Sequence, residues 1–344
     1  MQLVAYGAQD VYLTGDPQIT YFKVVYRRHT NFSMECIEQT FSGSPKQTTV
    51  KNAASATISR NGDLIGAMHL QYKQSTGGAA DIDDIVSEVS VEIGGQLIDK
   101  HYGNWLDIWD ALSSGQNKTK GSLIGASGSG CVEGSICYVP LQFWFNRNAG
   151  LALPLIALQY HEVKVNVTFK EGSSIDGDAS LWVDYIYLDT EERKRFAQMS
   201  HEYLIDQVQK NTSPNAATSH RLNFNHPVKE LVIGKKGEYD AHGADGDVKL
   251  TLNGHDRFAA RSIDYFTRLQ PYYHHTSMAA SDKVLVYSFA LRPEEHQPSG
   301  TCNFSRIDNA EISADANFGN QDIFAVNYNV LRIVSGMGGL AYSN

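Results

Sequence analysis

Residues 162–170 read Glu-Val-Lys-Val-Asn-Val-Thr-Phe-Lys, with an apolar side chain at every second position. Successive side chains of a β-strand point to opposite faces, so this pattern predicts a strand with one buried face and one face in solvent. The same alternation recurs in Leu64–Tyr72, Ser87–Ile93 and Val248–Leu252. The dominant period of two predicts an all-β protein.

Two other segments are apolar at consecutive positions rather than at alternate ones. Leu181–Leu188 and Val284–Leu291 are predicted to be strands that are covered on both faces. Turn sequences such as Gly94-Gly95 and Asn253-Gly254 separate the predicted strands. Helical spacing is confined to Gly103–Ser113, which is rich in Trp and Leu, and to a short amphipathic connector at 191–199.

The order of these elements occurs twice along the chain. In both halves an alternating strand and a Gly-containing turn are followed by an aromatic stretch, a further strand, a loop and two final strands. Each half supplies about eight candidate strands, the number needed for two packed four-stranded antiparallel sheets. The strand count is that of a jelly roll, although periodicity does not give the order of the strands. We therefore predict two tandem eight-stranded antiparallel jelly-roll sandwiches with a few short helices, of which the repeat and the strand count come from the sequence pattern.

The predicted domain organisation follows from this repeat. Residues 1–25 precede the first convincing alternating strand and form an N-terminal arm that contains glycine, proline and several aromatic residues. Residues 26–200 form the first jelly roll, which ends in the helical connector 191–199. Residues 201–344 form the second jelly roll.

The composition argues against several classes of function. The net charge is −9, and no basic stripe is present that could neutralise many phosphates, so direct nucleic-acid binding is not expected. The first ten residues, MQLVAYGAQD, lack the basic and apolar regions of a secretory signal. No apolar run approaches the roughly 20 residues of a membrane helix.

No pattern of residues predicts a catalytic, cofactor or metal site. His161-Glu162 and His201-Glu202 lack the second histidine of a zinc-protease motif, and the turn at Asp176–Asp178 lacks the further carboxylates of a calcium loop. Cys131 and Cys137 could pair across a turn, but reduced thiols are the favoured interpretation. The sequence therefore predicts no enzyme activity and no cofactor.

Several segments resemble the major capsid proteins of the nucleocytoplasmic large DNA viruses, and those of algal viruses (phycodnaviruses) most closely. The strongest likeness is in residues 145–163, Phe-Asn-Arg-Asn-Ala-Gly-Leu-Ala-Leu-Pro-Leu-Ile-Ala-Leu-Gln-Tyr-His-Glu-Val. Residues 7–32, 92–102, 182–190 and 297–309 also resemble the family. The similar segments lie in both halves and near both ends, so the resemblance extends over the whole chain.

This resemblance implies a structural major capsid protein with a double jelly roll and no enzymatic activity. It implies a homotrimer with a pseudo-hexagonal outline that tiles the facets of an icosahedral virion and is assembled in the host cytoplasm. The expected partners are other copies, neighbouring capsomers and minor capsid or penton proteins, and an inner viral membrane is contacted only indirectly. The second half is shorter than is usual in the family, which predicts reduced outer loops.

Candidate assembly residues lie in two regions. The loop at 147–158 is apolar although it lies between strands, and it either contacts another subunit or packs within its own chain. The arm is also rich in apolar side chains, which are costly to leave in water. The candidate interface residues are Arg147, Leu151, Leu153, Pro154 and Leu155 in the loop, with Tyr12 and Phe22 in the arm.

Five glycosylation sequons start at Asn31, Asn117, Asn166, Asn211 and Asn303. Asn117 and Asn211 fall in polar segments predicted to be loops and are the better candidates, although the absence of conventional glycosylation is the favoured interpretation. Two alternative functions are a secreted-type trimeric β-sandwich module that binds carbohydrate and a glycan-processing enzyme. The doubled sandwich and the family motifs favour the capsid protein over both.

Overall fold

The computed structural model describes residues 7–24, 26–75, 81–115, 123, 134–172, 174–214, 218–235, 246–278, 284–315 and 319–343. The chain divides into two units, Met1–Asn31 and Phe32–Asn344. The described part of the first unit contains one short helix, α1 (Asp10–Thr14), which ends at Gly15. The first strand of the second unit begins at Phe32 rather than near residue 26.

The first half of the second unit forms two sheets. One has the strand order β1-β10-β4-β7, with β8 beside β4, and the other has the order β2-β3-β9-β5-β6. The strands are β1 (Phe32–Gln39), β2 (Phe41–Ser42), β3 (Asn52–Thr57), β4 (Leu64–Lys73), β5 (Val86–Ile93), β6 (Gln96–Tyr102), β7 (Ile136–Pro140), β8 (Leu153–Pro154), β9 (Val163–Phe169) and β10 (Ser180–Leu188).

The second half repeats this arrangement. Its sheets have the orders β11-β20-β13-β17, with β18 beside β13 and β21 beside β20, and β12-β19-β14-β15, with β16 beside β14. The strands are β11 (His201–Thr212), β12 (Ser219–Leu222), β13 (Pro227–Lys235), β14 (Asp247–Leu252), β15 (His255–Asp256), β16 (Arg261–Ser262), β17 (Leu285–Ser288), β18 (Cys302–Asn303), β19 (Ala310–Ala314), β20 (Gln321–Val334) and β21 (Met337–Leu340).

The strand order shows that both halves are jelly rolls. In each half the first long strand pairs with the last, as β1 does with β10 and β11 does with β20. The remaining neighbours also correspond: β4 and β7 to β13 and β17, β3 and β9 to β12 and β19, and β5 to β14. All these ladders are antiparallel. The predicted double jelly roll is confirmed, and the strand correspondence relates one half to the other.

Local sequence explains the repeated hairpins. The turn between β5 and β6 is Gly94-Gly95, with φ of 59° and 82°, and the turn between β14 and β15 is Asn253-Gly254, with φ of 50° and 79°. A two-residue type I′ turn requires positive φ at both central positions, which glycine and asparagine adopt most readily. Both halves thus reverse direction at the same place in the fold.

The two helices that the sequence predicts are present as α2 (Gly103–Ser113) and α4 (Thr190–Gln198). Two shorter helices are not apparent from the sequence: α3 (Trp144–Arg147), and α5 (Gln270–His274), which follows a π-helical turn at Tyr265–Leu269. Each is about one turn long, which is too short for a helical period to be recognised. Among the described helices, none is long and apolar enough to cross a membrane.

Two apolar cores hold the sheets together. One lies inside the first sandwich and continues into side chains of the second half, among them Val232, Phe324 and Val326. The other lies inside the second sandwich, between strands such as β13, β14 and β19. The first core therefore extends past its own sandwich and joins the two halves.

One prediction about the cysteines is wrong. Cys137 is disulfide-bonded, although reduced thiols were favoured. Cys131 lies outside the described residues, and Cys36 and Cys302 are free.

The strand β9 allows a direct test of the alternating pattern. Val165 is fully buried between Ala56 and Val91 on the neighbouring strands, whereas the side chain of Lys164 is exposed. Val165→Asp should lower the free energy of unfolding by about 3 kcal/mol or more, because an unpaired carboxylate is buried. Lys164→Asp should change it by less than about 1 kcal/mol. Equal losses in chemical denaturation would show that the faces of β9 are wrongly assigned.

Candidate assembly surfaces

The two sandwiches meet where α2 of the first half packs against the outer face of the sheet β11-β20-β13-β17. The rings of Trp105 and Phe324 are 5.2 Å apart, and both side chains are buried. Ile108 approaches Gly234 so closely that a Cβ atom on this glycine would lie 3.3 Å from the Ile108 Cδ1 atom. This contact, which we call the junction, gives the second sheet a covered outer face.

The sequence of α2 explains why it can form the junction. Trp105, Ile108, Trp109 and Leu112 are three or four positions apart, and all are buried. The helix also starts very close to the sheet of its own sandwich: a Cβ atom on Gly103 would lie 2.1 Å from the carbonyl oxygen of Val86. Glycine at this position lets α2 pack against both halves.

A layer of buried charges crosses the junction beside α2. The Arg147 guanidinium lies 2.9 Å from a carboxylate oxygen of Asp206, and its other face lies over the ring of Trp109. The Lys229 ammonium is 3.3 Å from the second oxygen of Asp206. Burial lowers the pKa of Lys229, although Asp206 opposes this effect. Removal of one partner would leave an uncompensated buried charge. Of the two pairs, Arg147–Asp206 joins the two halves, whereas Lys229 and Asp206 both lie in the second half.

A second charged group fixes α5 to the second sheet. His275, at the C-terminal end of α5, has Nε2 2.9 Å from a Glu230 oxygen and Nδ1 2.9 Å from a Glu294 oxygen. Only the protonated imidazole can donate to a carboxylate from both nitrogens. Burial by itself lowers the pKa of His275, but the charges and hydrogen bonds of the two glutamates outweigh it and raise the pKa to about 9.

Among the described residues, little covers the equivalent surfaces on the other side of each sandwich. The outer face of the sheet β1-β10-β4-β7 corresponds to the covered face of the second sheet, yet Met34 is 56% exposed and Ile136 is 53% exposed. The helix α5 occupies the place in the second half that α2 occupies in the first, and its Tyr272 and Tyr273 are 69% and 66% exposed. The chain thus carries one completed junction and the two unpaired parts of another.

The predicted apolar loop lies inside the chain. Leu153 and Pro154 form β8 and pair with β4, and the side chains of Leu151 and Leu155 are also buried. This burial favours the second of the two interpretations, packing within the chain, because the loop folds back over the first core. Only the tip at 148–150 is exposed.

The other candidate residues are placed as follows. Arg147 contributes to the junction within the chain. Tyr12 lies in α1 and Phe22 in a turn of the unit Met1–Asn31. Asn211 lies in β11 rather than in a loop, and its Nδ2 atom is buried, so it is not an accessible glycosylation acceptor. Asn117 lies outside the described residues.

Sequence reasoning identified Arg147 but missed the exposed aromatic residues of α5 and the other charged residues of the junction, Asp206 and Lys229. The internal repeat contains a signal for α5, since the segment after Ser262 corresponds to the segment after Tyr102, where α2 begins. Extension of that correspondence by a few residues leads to Tyr272 and Tyr273. No comparable signal marks Asp206 or Lys229, because their alternating pattern resembles that of solvent-facing positions.

Comparisons with known proteins agree with this architecture. A family model described as the N-terminus of a major capsid protein matches residues 20–189. A second model, described as a large eukaryotic DNA virus major capsid protein, matches residues 192–339. The two matched regions fall on the two jelly rolls.

Individual relatives are similar over the full length. The major capsid protein of Pyramimonas orientalis virus is 50% identical, with 100% of this chain and 99% of the relative covered. That of Paramecium bursaria Chlorella virus 1 is 42% identical with the same coverage. A chain of the quasi-atomic PBCV-1 virus capsid superposes with a TM-score of 0.81 at 39% identity, covering 94% of this chain and all of that one. The faustovirus major capsid protein, at 12% identity and a TM-score of 0.73, shares the fold.

The His275 cluster predicts a specific dependence of stability on pH. Because the folded-state pKa is raised from 6.5 to about 9, the stabilisation is complete below pH 6.5 and is lost as the pH rises through 9. The wild-type melting temperature should therefore fall between these values more steeply than that of His275→Gln. At pH 6 the variant should be less stable by an amount on the order of 2–3 kcal/mol.

The exposed His255 provides the control for this titration. His255→Gln should follow the wild-type curve across the same pH range. Parallel curves for the wild type and His275→Gln would contradict the assignment of a protonated, doubly bonded imidazole.

Proposed function

The chain belongs to the family of major capsid proteins of large eukaryotic DNA viruses, and we propose that it builds the virion shell as a homotrimer with a six-sided outline. It is a structural protein of the capsid. Family membership over the whole chain also displaces the two alternatives, the carbohydrate-binding module and the glycan-processing enzyme. The absence of enzymatic activity is part of the proposal.

The observation that supports the trimer is that the chain carries the two parts of a second junction without joining them. Within one chain, α2 covers the outer face of the second sheet. On the outer face of the first sheet α4 covers only the patch at Leu64 and Ile186, while the area around Met34 and Ile136 and the aromatic side of α5 have no partner among the described residues. Strand β10 is apolar on both faces, but the described residues cover its outer face only in part: Trp182, on that face, remains half-buried. A second copy that places α5 on this sheet would complete the pattern.

Such a contact joins two different surfaces and is therefore heterologous. A heterologous contact generates a closed ring when its rotation divides the full turn. In the proposed homotrimer the contact between chains repeats the junction within the chain, so six similar sandwiches alternate around the closed ring. Met34 and Tyr138 on the sheet and Tyr272 and Tyr273 on α5 are the apolar side chains available for this contact.

The wider organisation of the capsid follows as part of the same proposal. The trimers pack side by side as capsomers in the facets, contact minor capsid and penton proteins, and assemble in the host cytoplasm. The protein makes no direct contact with nucleic acid in this arrangement, and it is linked to an inner membrane only indirectly. Residues 1–25 act as an arm, 26–200 as the first jelly roll and 201–344 as the second.

Light scattering in dilute solution tests the trimer and its contact surface. The wild-type protein should have roughly three times the chain mass of 38.1 kDa at micromolar concentration. The double variant Tyr272→Asp/Tyr273→Asp should be a folded monomer, because two carboxylates would be buried without partners in the contact between chains.

The matched control is Tyr160→Asp, since Tyr160 is 75% exposed and lies beside Gly336, in the turn between β20 and β21, on neither proposed surface. This variant should remain trimeric. A monomeric wild-type protein would disprove the trimer, whereas a trimeric Tyr272→Asp/Tyr273→Asp variant would disprove only the assignment of α5.

A further inference from the structure

A groove of about 460 Å³ lies beside the sheet β11-β20-β13-β17, near the start of β13. Its apolar lining comes from Pro227, Tyr328 and Val330, and its polar rim includes His226 and Arg306. Tyr328 and Val330 lie on β20, while Arg306 lies on the short helical turn Phe304–Arg306 after β18. The groove is distinct from the junction and from the exposed side of α5.

The corresponding place in the first sandwich is filled by α4. Phe196 of this helix packs against a small apolar cluster that includes Leu64 and Ile186. Three residues earlier, the Nε atom of Arg193 lies 3.0 Å from a carboxylate oxygen of Asp63. A short helix therefore binds here through one apolar anchor and one charge, separated by three positions.

The strand registers show that the groove and the binding site of α4 occupy corresponding places in the two halves. Leu64, the first residue of β4, pairs with Pro154 on β8, and Pro227, the first residue of β13, pairs with Asn303 on β18. Asp63 and His226 directly precede these strands. In the second half, β20 continues into the hairpin with β21 rather than into a helix.

The site in the second half lacks the acidic residue of the first. The acidic Asp63 of the first half corresponds to His226, and Arg306 adds a cation on the rim. Arg306 is exposed and has no hydrogen bond or ion pair with another residue in the described ranges. The groove should therefore accept a short helix with an apolar anchor and a carboxylate in place of the arginine.

The helix α1 has this pattern. Asp10 and Leu13 are three positions apart, as are Arg193 and Phe196, and the charge has the opposite sign. A helix of five residues is not stable by itself in water, and no residue of α1 is buried. Burial of its apolar side chains against a partner surface would stabilise the helix.

We propose that α1 of another copy of this chain binds the groove, with Leu13 on Pro227 and Tyr328 and with Asp10 beside Arg306. The arm of one copy then binds its neighbour at a site that corresponds to the one occupied by α4 within each chain. Such an exchange of arms links copies through a contact that is separate from the trimer surface. It weakens at high salt, because the ion pair is exposed.

Photocrosslinking of the full-length protein tests this contact. With p-benzoylphenylalanine in place of Tyr12, illumination of the assembled protein should give a covalent dimer on a denaturing gel. Mass spectrometry should place the adduct within residues 303–306 or 326–330. Adducts of monomer mass only, or a dimer joined elsewhere, would overturn the proposal.

Charge reversal identifies the partners. Arg306→Glu should reduce the yield of dimer about fivefold, which corresponds to about 1 kcal/mol. The additional change Asp10→Lys should restore the yield, and Lys164→Glu, on an exposed position of β9, should leave it unchanged. An unchanged yield in Arg306→Glu would overturn the assignment. Light scattering of the same samples reports the trimer independently, so failure of this contact is distinguishable from failure of the proposed function.

Discussion

The packing of α2 on the outer face of the second sheet is the contact on which the rest of the structure depends. It extends the first core into the second half through Phe324 and Val232, so the two jelly rolls form one body instead of two linked domains. The ion pair between the partly buried Arg147 and the buried Asp206 fixes the arrangement, because a shift of one sandwich against the other would separate the two charges. A defined angle between sandwiches is what a flat, tiled shell requires of its subunit.

Because of the internal repeat, this contact within the chain indicates how copies of the chain contact one another. A chain made of two similar sandwiches carries two similar outer sheet faces and two similar helices, but it can satisfy only one pair by itself. The unsatisfied pair differs in chemistry from the satisfied one. The position of the acidic Asp206 on β11 corresponds to that of Met34 on β1, and the tryptophans of α2 give way to the tyrosines of α5. These differences allow one contact to be permanent and the other to form between copies.

The fold could be predicted from sequence because its signals are local. Alternation in Glu162–Lys170 defined β9, paired turn residues defined the hairpins, and helical spacing defined α2 with its observed ends. The surfaces could not be predicted in this way. The loop containing Leu153 and Pro154 has the composition of an exposed apolar contact, but it lies over its own core, and only the three-dimensional path of the chain shows this. The charges at the junction look solvent-facing for the same reason.

Electron microscopy of the purified oligomer tests most directly whether the junction is repeated between copies. Class averages viewed along the threefold axis should show six lobes of similar size at equal spacing, because the contacts within and between chains alternate around one ring. Three separated pairs of lobes, or particles with a twofold axis, would contradict the account, since the contact between chains would then differ from the contact within them.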